Sequence, residues 1–217
     1  MDKITRQLGE IGIIPVVAID NATQAVPLGK ALLDGGLPCA EITFRTPAAA
    51  DAIQSMCAAY PQMLVGAGTV LTVKQAQAAK AAGAKFVVTP GFDSIVVEYC
   101  RENELPITPG VMTPTDINQA LAKGLHLLKF FPAEAAGGIK TLRAIGGPYV
   151  GVKFIPTGGI HAKNLSEYLD LPMVHACGGS WMVKRQFISN CQFGKITQLA
   201  REAVALVETV RNSGENQ

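Results

Sequence analysis

Two short stretches of this 217-residue chain set ionisable side chains inside apolar runs. The first reads Ala40-Glu41-Ile42-Thr43-Phe44-Arg45. Side chains alternate along a strand, so Glu41, Thr43 and Arg45 share one face and Ala40, Ile42 and Phe44 the other. The apolar face can pack beneath helices while the opposite face presents a carboxylate, a hydroxyl and a guanidinium. A purely structural ion pair would show the same pattern. Arg45, at the end of the run, can grip a substrate carboxylate through two hydrogen bonds. The second stretch places Lys129 between Leu127, Leu128, Phe130 and Phe131. Poor solvation there disfavours the ammonium relative to the free amine, which is the nucleophilic form. The plain alternative is a lysine reaching out of an apolar surface along its own stem. Lys85 and Lys153 also belong to apolar runs, but each begins its run, five residues before Pro90 and Gly158. Both can therefore reach solvent at the opposite end.

Two later runs end in paired glycines, Thr157-Gly158-Gly159 and Gly178-Gly179-Ser180. Backbone amides at such pairs can approach an anion closely, although glycine serves tight turns equally well. Gly66-Ala67-Gly68-Thr69 adds a hydroxyl at the end of another run. His126, His161 and His175 lack metal-ligand spacing, His175 reads as a satisfied core histidine, and Trp181 reads as packing. No G-x-S-x-G, H-E-x-x-H or G-x-x-x-x-G-K motif is present, and no carboxylate and histidine cluster suggests a metal-dependent route. An amine, a carboxylate, a carboxylate-binding arginine and a phosphate pocket suit Schiff-base chemistry on a keto acid.

The elements that must carry these groups recur regularly. Apolar, β-branched runs begin near residues 13, 39, 64, 85, 105, 127, 153 and 173, at intervals of 26, 25, 21, 20, 22, 26 and 20. Each interval holds one helix and two short loops. Ala22 to Leu33, Pro47 to Tyr60, Thr72 to Ala82 and Asp93 to Asn103 are rich in helix formers. Thr72, Asp93 and Thr113 sit where N-caps belong, Pro47 and Pro114 suit a first turn, and Gly83 and Gly124 suit helix ends. Ile196, Leu199, Ala203, Leu206, Val207 and Val210 form one helical stripe, and the tail from Asn212 to Gln217 is expected to be loose. Eight strands alternating with eight helices is the order of a (β/α)₈ (TIM) barrel, in which polar residues late in strands form the active site and the last two loops hold phosphate. A doubly wound open sheet shares the local pattern but is disfavoured by the eight near-equal units and the lack of a dinucleotide fingerprint.

Composition agrees with one packed domain spanning 1–217. Charged residues make up 17% against a typical ~25%, and 48% of the chain is apolar. A net charge of +2 argues against nucleic acid as the main partner. Cys39, Cys57, Cys100, Cys177 and Cys191 contain no C-x-x-C spacing and read as buried thiols in a reducing compartment. The apolar stretch Ile11 to Ile19 is broken by Pro15, has no cleavage site behind it, and reads as a strand. No run approaches the ~20 apolar residues of a membrane span, so a cytoplasmic protein is expected.

The segments EITFRT, GAGTVLT, VTPG, LLKFFPAE, PTGGI and GGSW resemble those of the bacterial 2-keto-3-deoxy-6-phosphogluconate (KDPG) and 4-hydroxy-2-oxoglutarate (KHG) aldolases. The likeness runs from the first strand through KITQLAREAV, and K-F-F-P-A-E together with E-x-T-x-R-T is its specific part. It implies a class I aldolase on a (β/α)₈ barrel with an additional N-terminal helix, needing neither metal nor cofactor and assembling as a homotrimer. The same likeness makes Lys129 the Schiff-base lysine and Glu41 the proton shuttle. Arg45 and Thr69 match positions that hold the pyruvate carboxylate, Thr157 one that influences stereochemistry, and Phe131 one packed beside the imine. Pro90 lines the site, and Gly158, Gly159, Gly179 and Ser180 fall on the phosphate pocket. The implied ligands are a keto-acid phosphate and pyruvate, with no nucleic acid and no membrane. The implied reaction is reversible cleavage of 2-dehydro-3-deoxy-6-phosphogluconate to pyruvate and glyceraldehyde 3-phosphate, with 4-hydroxy-2-oxoglutarate as a second substrate. Two other readings remain: the 6-phosphogalactonate branch, which the arginine of E-x-T-x-R-T disfavours, and a non-aldolase phosphate-binding barrel in which Lys129 is structural.

Overall fold

The computed structural model describes residues 2–214. Nine short strands appear in it: β1 (Ile13–Val17), β2 (Cys39–Thr43), β3 (Leu64–Gly68), β4 (Val87–Val88), β5 (Ile107–Thr108), β6 (Gly110–Val111), β7 (Leu127–Phe130), β8 (Lys153–Pro156) and β9 (Cys177–Gly179). β5 and β6 are halves of one stave interrupted at Pro109, which has no amide hydrogen to donate. Its carbonyl still accepts from the Lys129 amide at 2.9 Å. All pairings are parallel, in the orders β5-β4-β3-β2-β1-β9 and β6-β7-β8. Isolated bridges Phe154–Val174 and Thr157–Gly178 carry the ladder from β8 to β9 and complete the ring. The eight staves match the expected (β/α)₈ order.

Among the described residues ten α-helices surround or cap them: α1 (Lys3–Ile11), α2 (Ala25–Asp34), α3 (Ala49–Ala59), α4 (Val73–Ala81), α5 (Ser94–Glu102), α6 (Pro114–Ala122), α7 (Gly138–Gly146), α8 (Leu165–Leu169), α9 (Arg185–Ser189) and α10 (Phe193–Gly214). Local chemistry fixes their starts. Thr72 accepts from the Gln75 amide, Asp93 from those of Ile95 and Val96, and Thr113 forms a reciprocal capping box with Asp116 behind Pro114. Gly83 and Gly124 stand just past α4 and α6 with φ of +88° and +72°, the left-handed geometry of a helix stop. α10 closes the ring against α2, where Thr197 donates to the Ala31 carbonyl at 3.0 Å.

Strand alternation sorts the core into two layers. Ala40, Ile42, Val65, Leu128, Phe130 and Phe154 face the helices. Ile14, Cys39, Leu64, Phe86, Ile155 and Ala176 form a separate cluster inside the ring, closed from below by Leu8 of the additional N-terminal helix α1. That inner layer is the apolar floor on which the polar residues of the upper ring stand.

Several local expectations are corrected. The second strand ends at Thr43, so Arg45 lies in the following turn rather than in the strand. The Thr43 hydroxyl donates to the Val17 carbonyl at 2.7 Å and belongs to the wall. Pro47 precedes α3 by two residues instead of opening it, and the last strand is confined to Cys177–Gly179. Helix α10 continues through Gly214, beyond the Asn212 at which a loose tail was expected, while 215–217 lie outside the described residues. The cysteines are free, but only Cys39, Cys100 and Cys177 are buried, and Cys191 is exposed. Burial pushes the Cys100 thiol up to about 11.

Candidate active site

β2 and β7 stand across the ring from one another, and each sends its third residue inward. Glu41 and Lys129 retain only 2% and 3% of their exposure. Lys129 Nζ lies 3.5 Å from Glu41 Oε1, and that oxygen accepts no hydrogen bond among the described residues. Buried acceptors are nearly always satisfied, so an unsatisfied carboxylate oxygen beside a buried amine needs a reason, and catalysis is one. The Phe131 ring centroid is 5.2 Å from Lys129 Nζ, which gives the cation an aromatic neighbour without offering it an acceptor.

Two glycines in β3 make room for this arrangement. A Cβ at Gly66 would stand 2.3 Å from the Phe86 ring, and one at Gly68 would stand 2.2 Å from Glu41 Oε1. Phe86 can therefore fill the floor while Glu41 lies flat against β3. The sequence shows both glycines but not what occupies the space above them.

Arg45 and Thr69 meet at the rim, where Arg45 Nε donates to Thr69 Oγ1 at 3.3 Å. Thr69 holds φ of +53°, an uncommon conformation for a β-branched residue and one that clusters at functional sites. Thr157 is buried beside Gly178, on the bridge that joins β8 to β9. Gly158 and Gly159 turn with φ of +100° and +83° immediately after it. Gly179 ends β9 beneath the Trp181 ring, with Ser180 exposed next to it. The Pro90 carbonyl lies where a Cβ of Gly110 would stand, beside the stave next to Lys129. The chain thus brings together the pairs Lys129–Glu41, Lys129–Phe131 and Arg45–Thr69, and sets the two glycine turns on neighbouring staves.

Other groups stay apart from this mouth. His175 Nε2 lies 2.7 Å from the Thr5 carbonyl oxygen, which ties the segment leading into β9 to α1. Lys153 donates to the Pro172 carbonyl at 2.6 Å, and Lys85 is exposed. A cavity of about 630 Å³ opens at the opposite end of the barrel, past Leu8 and Phe86, and none of the residues just placed at the mouth lines it. Among the described residues no group of three or more His, Cys, Asp or Glu side chains is arranged to hold a metal ion.

Sequence reasoning missed two features of the rim. Asp20, in the loop after β1, accepts two hydrogen bonds from the Arg185 guanidinium, and those bonds hold its carboxyl below the usual range. Glu134, two residues after Pro132, accepts from the hydroxyl of the buried Tyr168. Nothing local links either pair. Only the carboxylate of LLKFFPAE marked Glu134.

A parallel barrel whose mouth buries an amine against a carboxylate suits Schiff-base chemistry, and its similarity to aldolases puts the chain in that class of lyases. The chain belongs to the KDPG and KHG aldolase family, whose model matches residues 4–199. It is 48% identical over 207 residues to the 2-dehydro-3-deoxy-phosphogluconate aldolase of Treponema pallidum, covering 95% of this chain and 99% of that one. Identity to the Haemophilus influenzae enzyme of the same name is 46%, over 95% and 97% of the two chains. The KDPG aldolase of Legionella pneumophila, solved with pyruvate as a covalent carbinolamine, superposes with a TM-score of 0.89 at 40% identity, covering 92% of this chain and 97% of that one. None of the described helices is long and apolar enough to cross a membrane.

Proposed function

We propose that this protein reversibly cleaves 2-dehydro-3-deoxy-6-phosphogluconate to pyruvate and glyceraldehyde 3-phosphate through an imine on Lys129. The observation that carries the reading is the buried 3.5 Å approach of Lys129 Nζ to a Glu41 oxygen that accepts no hydrogen bond. Lys129 passes a proton to Glu41 and adds to the C2 ketone to give a carbinolamine; Glu41 returns that proton as water leaves, which gives a protonated imine. Glu41 takes the C4 hydroxyl proton as the C3–C4 bond breaks, and the electron pair moves into the imine to form an enamine. Glyceraldehyde 3-phosphate departs, Glu41 returns the proton to C3 to regenerate the protonated imine, and hydrolysis releases pyruvate and leaves its proton on the Lys129–Glu41 pair.

The remaining residues orient the substrate. Arg45 and Thr69 bind the C1 carboxylate, with the guanidinium matching its two oxygens. Phe131 and Pro90 flank the imine, and Thr157 lies beside the reacting carbons. Gly158, Gly159, Gly179 and Ser180 hold the phosphate at the ends of the last two staves, where barrels of this kind commonly bind it. 4-Hydroxy-2-oxoglutarate has the same C1–C4 arrangement and gives pyruvate and glyoxylate by the same steps. The family resemblance supports a single barrel domain acting as a metal-independent homotrimer in the cytoplasm.

Incubation with pyruvate and borohydride, followed by peptide mass mapping, tests the reading. A reduced pyruvate adduct on Lys129 is expected in the wild type and none in Lys129→Met. A wild-type protein of unchanged mass would overturn the imine mechanism.

A further inference from the structure

The glycine turn after β8 is fastened to groups that take no part in the bond-breaking chemistry. The amide of Ala133 donates to the Thr157 carbonyl at 2.8 Å, and that of Glu134 donates to the Gly158 carbonyl at 3.0 Å. Asn164 Nδ2 donates to the Gly159 carbonyl at 3.2 Å, while its Oδ1 accepts from the His161 amide at 2.8 Å. The turn is thus tied on one side to the loop after β7 and on the other to the start of α8.

Glu134 supplies the surface on which the turn rests. A Cβ at Gly159 would stand 2.5 Å from Glu134 Cβ and 2.6 Å from its Cγ, so backbone and glutamate stem are in direct contact. The Glu134 carboxylate reaches α8, where it accepts from the Tyr168 hydroxyl. Gly138 leaves space for that meeting, since a Cβ there would lie 3.0 Å from Glu134 Oε1 and 3.3 Å from Tyr168 Oη. The Tyr168 ring is fully buried, and burial first, then the carboxylate, hold its hydroxyl above the usual tyrosine range as a protonated donor. A glutamate exposed on a loop ordinarily samples several rotamers; this one is fixed by a charge-assisted bond to a rigid partner.

We propose that Tyr168 and Glu134 are positioning residues that hold the Gly158–Gly159 turn in its anion-binding shape, and so set the preference for a phosphorylated substrate. Freed from Tyr168, the glutamate stem ceases to be a fixed wall. Its negative charge also becomes mobile beside an anion site, and like charges there weaken binding. Both effects act on the phosphate end of the substrate and leave the keto-acid end untouched. The inference rests on the aldolase reading above and on its placement of the phosphate.

Steady-state kinetics of Tyr168→Phe on the phosphorylated six-carbon keto acid and on 4-hydroxy-2-oxoglutarate test it, with pyruvate trapping on Lys129 as an independent readout. KM for the phosphorylated substrate should rise about tenfold, the size expected for losing a hydrogen bond to a charged group. kcat, the KM for 4-hydroxy-2-oxoglutarate and the trapping should stay within about twofold of wild type. Glu134→Gln keeps the stem and an acceptor for Tyr168, and should retain near wild-type discrimination. Equal loss on both substrates, or no change on either, overturns the proposal. If Tyr168→Phe does not fold, Glu134→Ala removes the same wall from the other side and must show the same split. A wild type that traps no pyruvate refutes the aldolase reading itself, before any variant is made.

Discussion

Gly68→Ala adds one methyl group at the point where the proposed proton shuttle lies. The new Cβ would stand 2.2 Å from Glu41 Oε1, 2.7 Å from its Cγ and 2.8 Å from its Cδ. β3 is fixed on both sides by the ladders to β2 and β4, so the carboxylate has to give way. Relief to ordinary van der Waals separation requires a retreat of more than about 1 Å. A misplacement of that size at a reacting group costs on the order of 100-fold in rate. Overpacking also costs about 1–3 kcal/mol of stability. In a chain of this size that lowers Tm by about 2–4 °C per kcal/mol, which leaves a folded protein to assay. The expected result is a kcat for the phosphorylated substrate reduced about 100-fold, with pyruvate still trapped on Lys129, because Arg45, Thr69 and Lys129 are unaltered. Glu41→Gln, which keeps the shape but removes the proton shuttle, should likewise slow turnover far more than it weakens pyruvate binding. Turnover of folded Gly68→Ala within about threefold of wild type would refute the argument that the position of Glu41 against β3 governs the proton transfer.

Two stability predictions concern helix ends. Burial raises the Asp116 pKa, but hydrogen bonds from the Met112 and Thr113 amides and the Thr113 side chain outweigh it, and the net pKa is below the usual value. A carboxylate with a lowered folded pKa stabilises fully above its unfolded value and loses that contribution as pH falls through the folded one. Asp116→Ala should therefore cost about 0.5–2 kcal/mol at pH 7, and chemical denaturation should show the deficit shrinking as pH drops below about 4. A deficit that is constant with pH would contradict the capping assignment. Glu104 holds φ of +53° just past α5, in the place that Gly83 and Gly124 take after α4 and α6. A left-handed non-glycine residue costs about 1–2 kcal/mol and glycine's greater unfolded-state freedom offsets about 0.5–1 kcal/mol of that, so Glu104→Gly should gain up to about 1 kcal/mol and raise Tm by up to about 4 °C, and a lowered Tm would refute the strain argument.

What could be read from the sequence was what is local. Alternation along a single strand separates Glu41 from Ile42, and the apolar neighbours of Lys129 announce its burial without any tertiary knowledge. The caps at Thr72, Asp93 and Thr113 are likewise written in three or four consecutive residues. Where long-range packing decides, the reading failed or stayed silent. Arg45 continues the alternation on paper, yet the chain leaves the sheet at Thr43, whose hydroxyl is taken by the Val17 carbonyl of the neighbouring stave. Cys191 resembles the other cysteines in sequence but sits exposed just after α9. Gly68 looks like any glycine in a β-rich run until Glu41 is placed against it. Tyr168 lies in a helix of only five residues, and its partner Glu134 belongs to another unit of the barrel.

The layering of the interior explains how a small charged allotment can sit inside the barrel at all. Below Glu41 and Lys129 the ring is filled by Leu64, Phe86, Ile155 and Ala176 and closed by Leu8. On the proposed reading the substrate therefore reaches the pair from the mouth, on the side of Phe131 and Arg45. A single buried ion pair at 3.5 Å, one of whose oxygens accepts no hydrogen bond, contributes little to stability, because desolvation offsets most of the attraction. The fold rests instead on the apolar layers beneath and around the pair, together with the ladder that joins the staves. That division frees Glu41 from any structural hydrogen bond through Oε1 and leaves this oxygen available to a substrate hydroxyl. The floor keeps the amine out of water, and the glycines of β3 hold the carboxylate beside it, so the surrounding scaffold prepares the geometry before any substrate arrives.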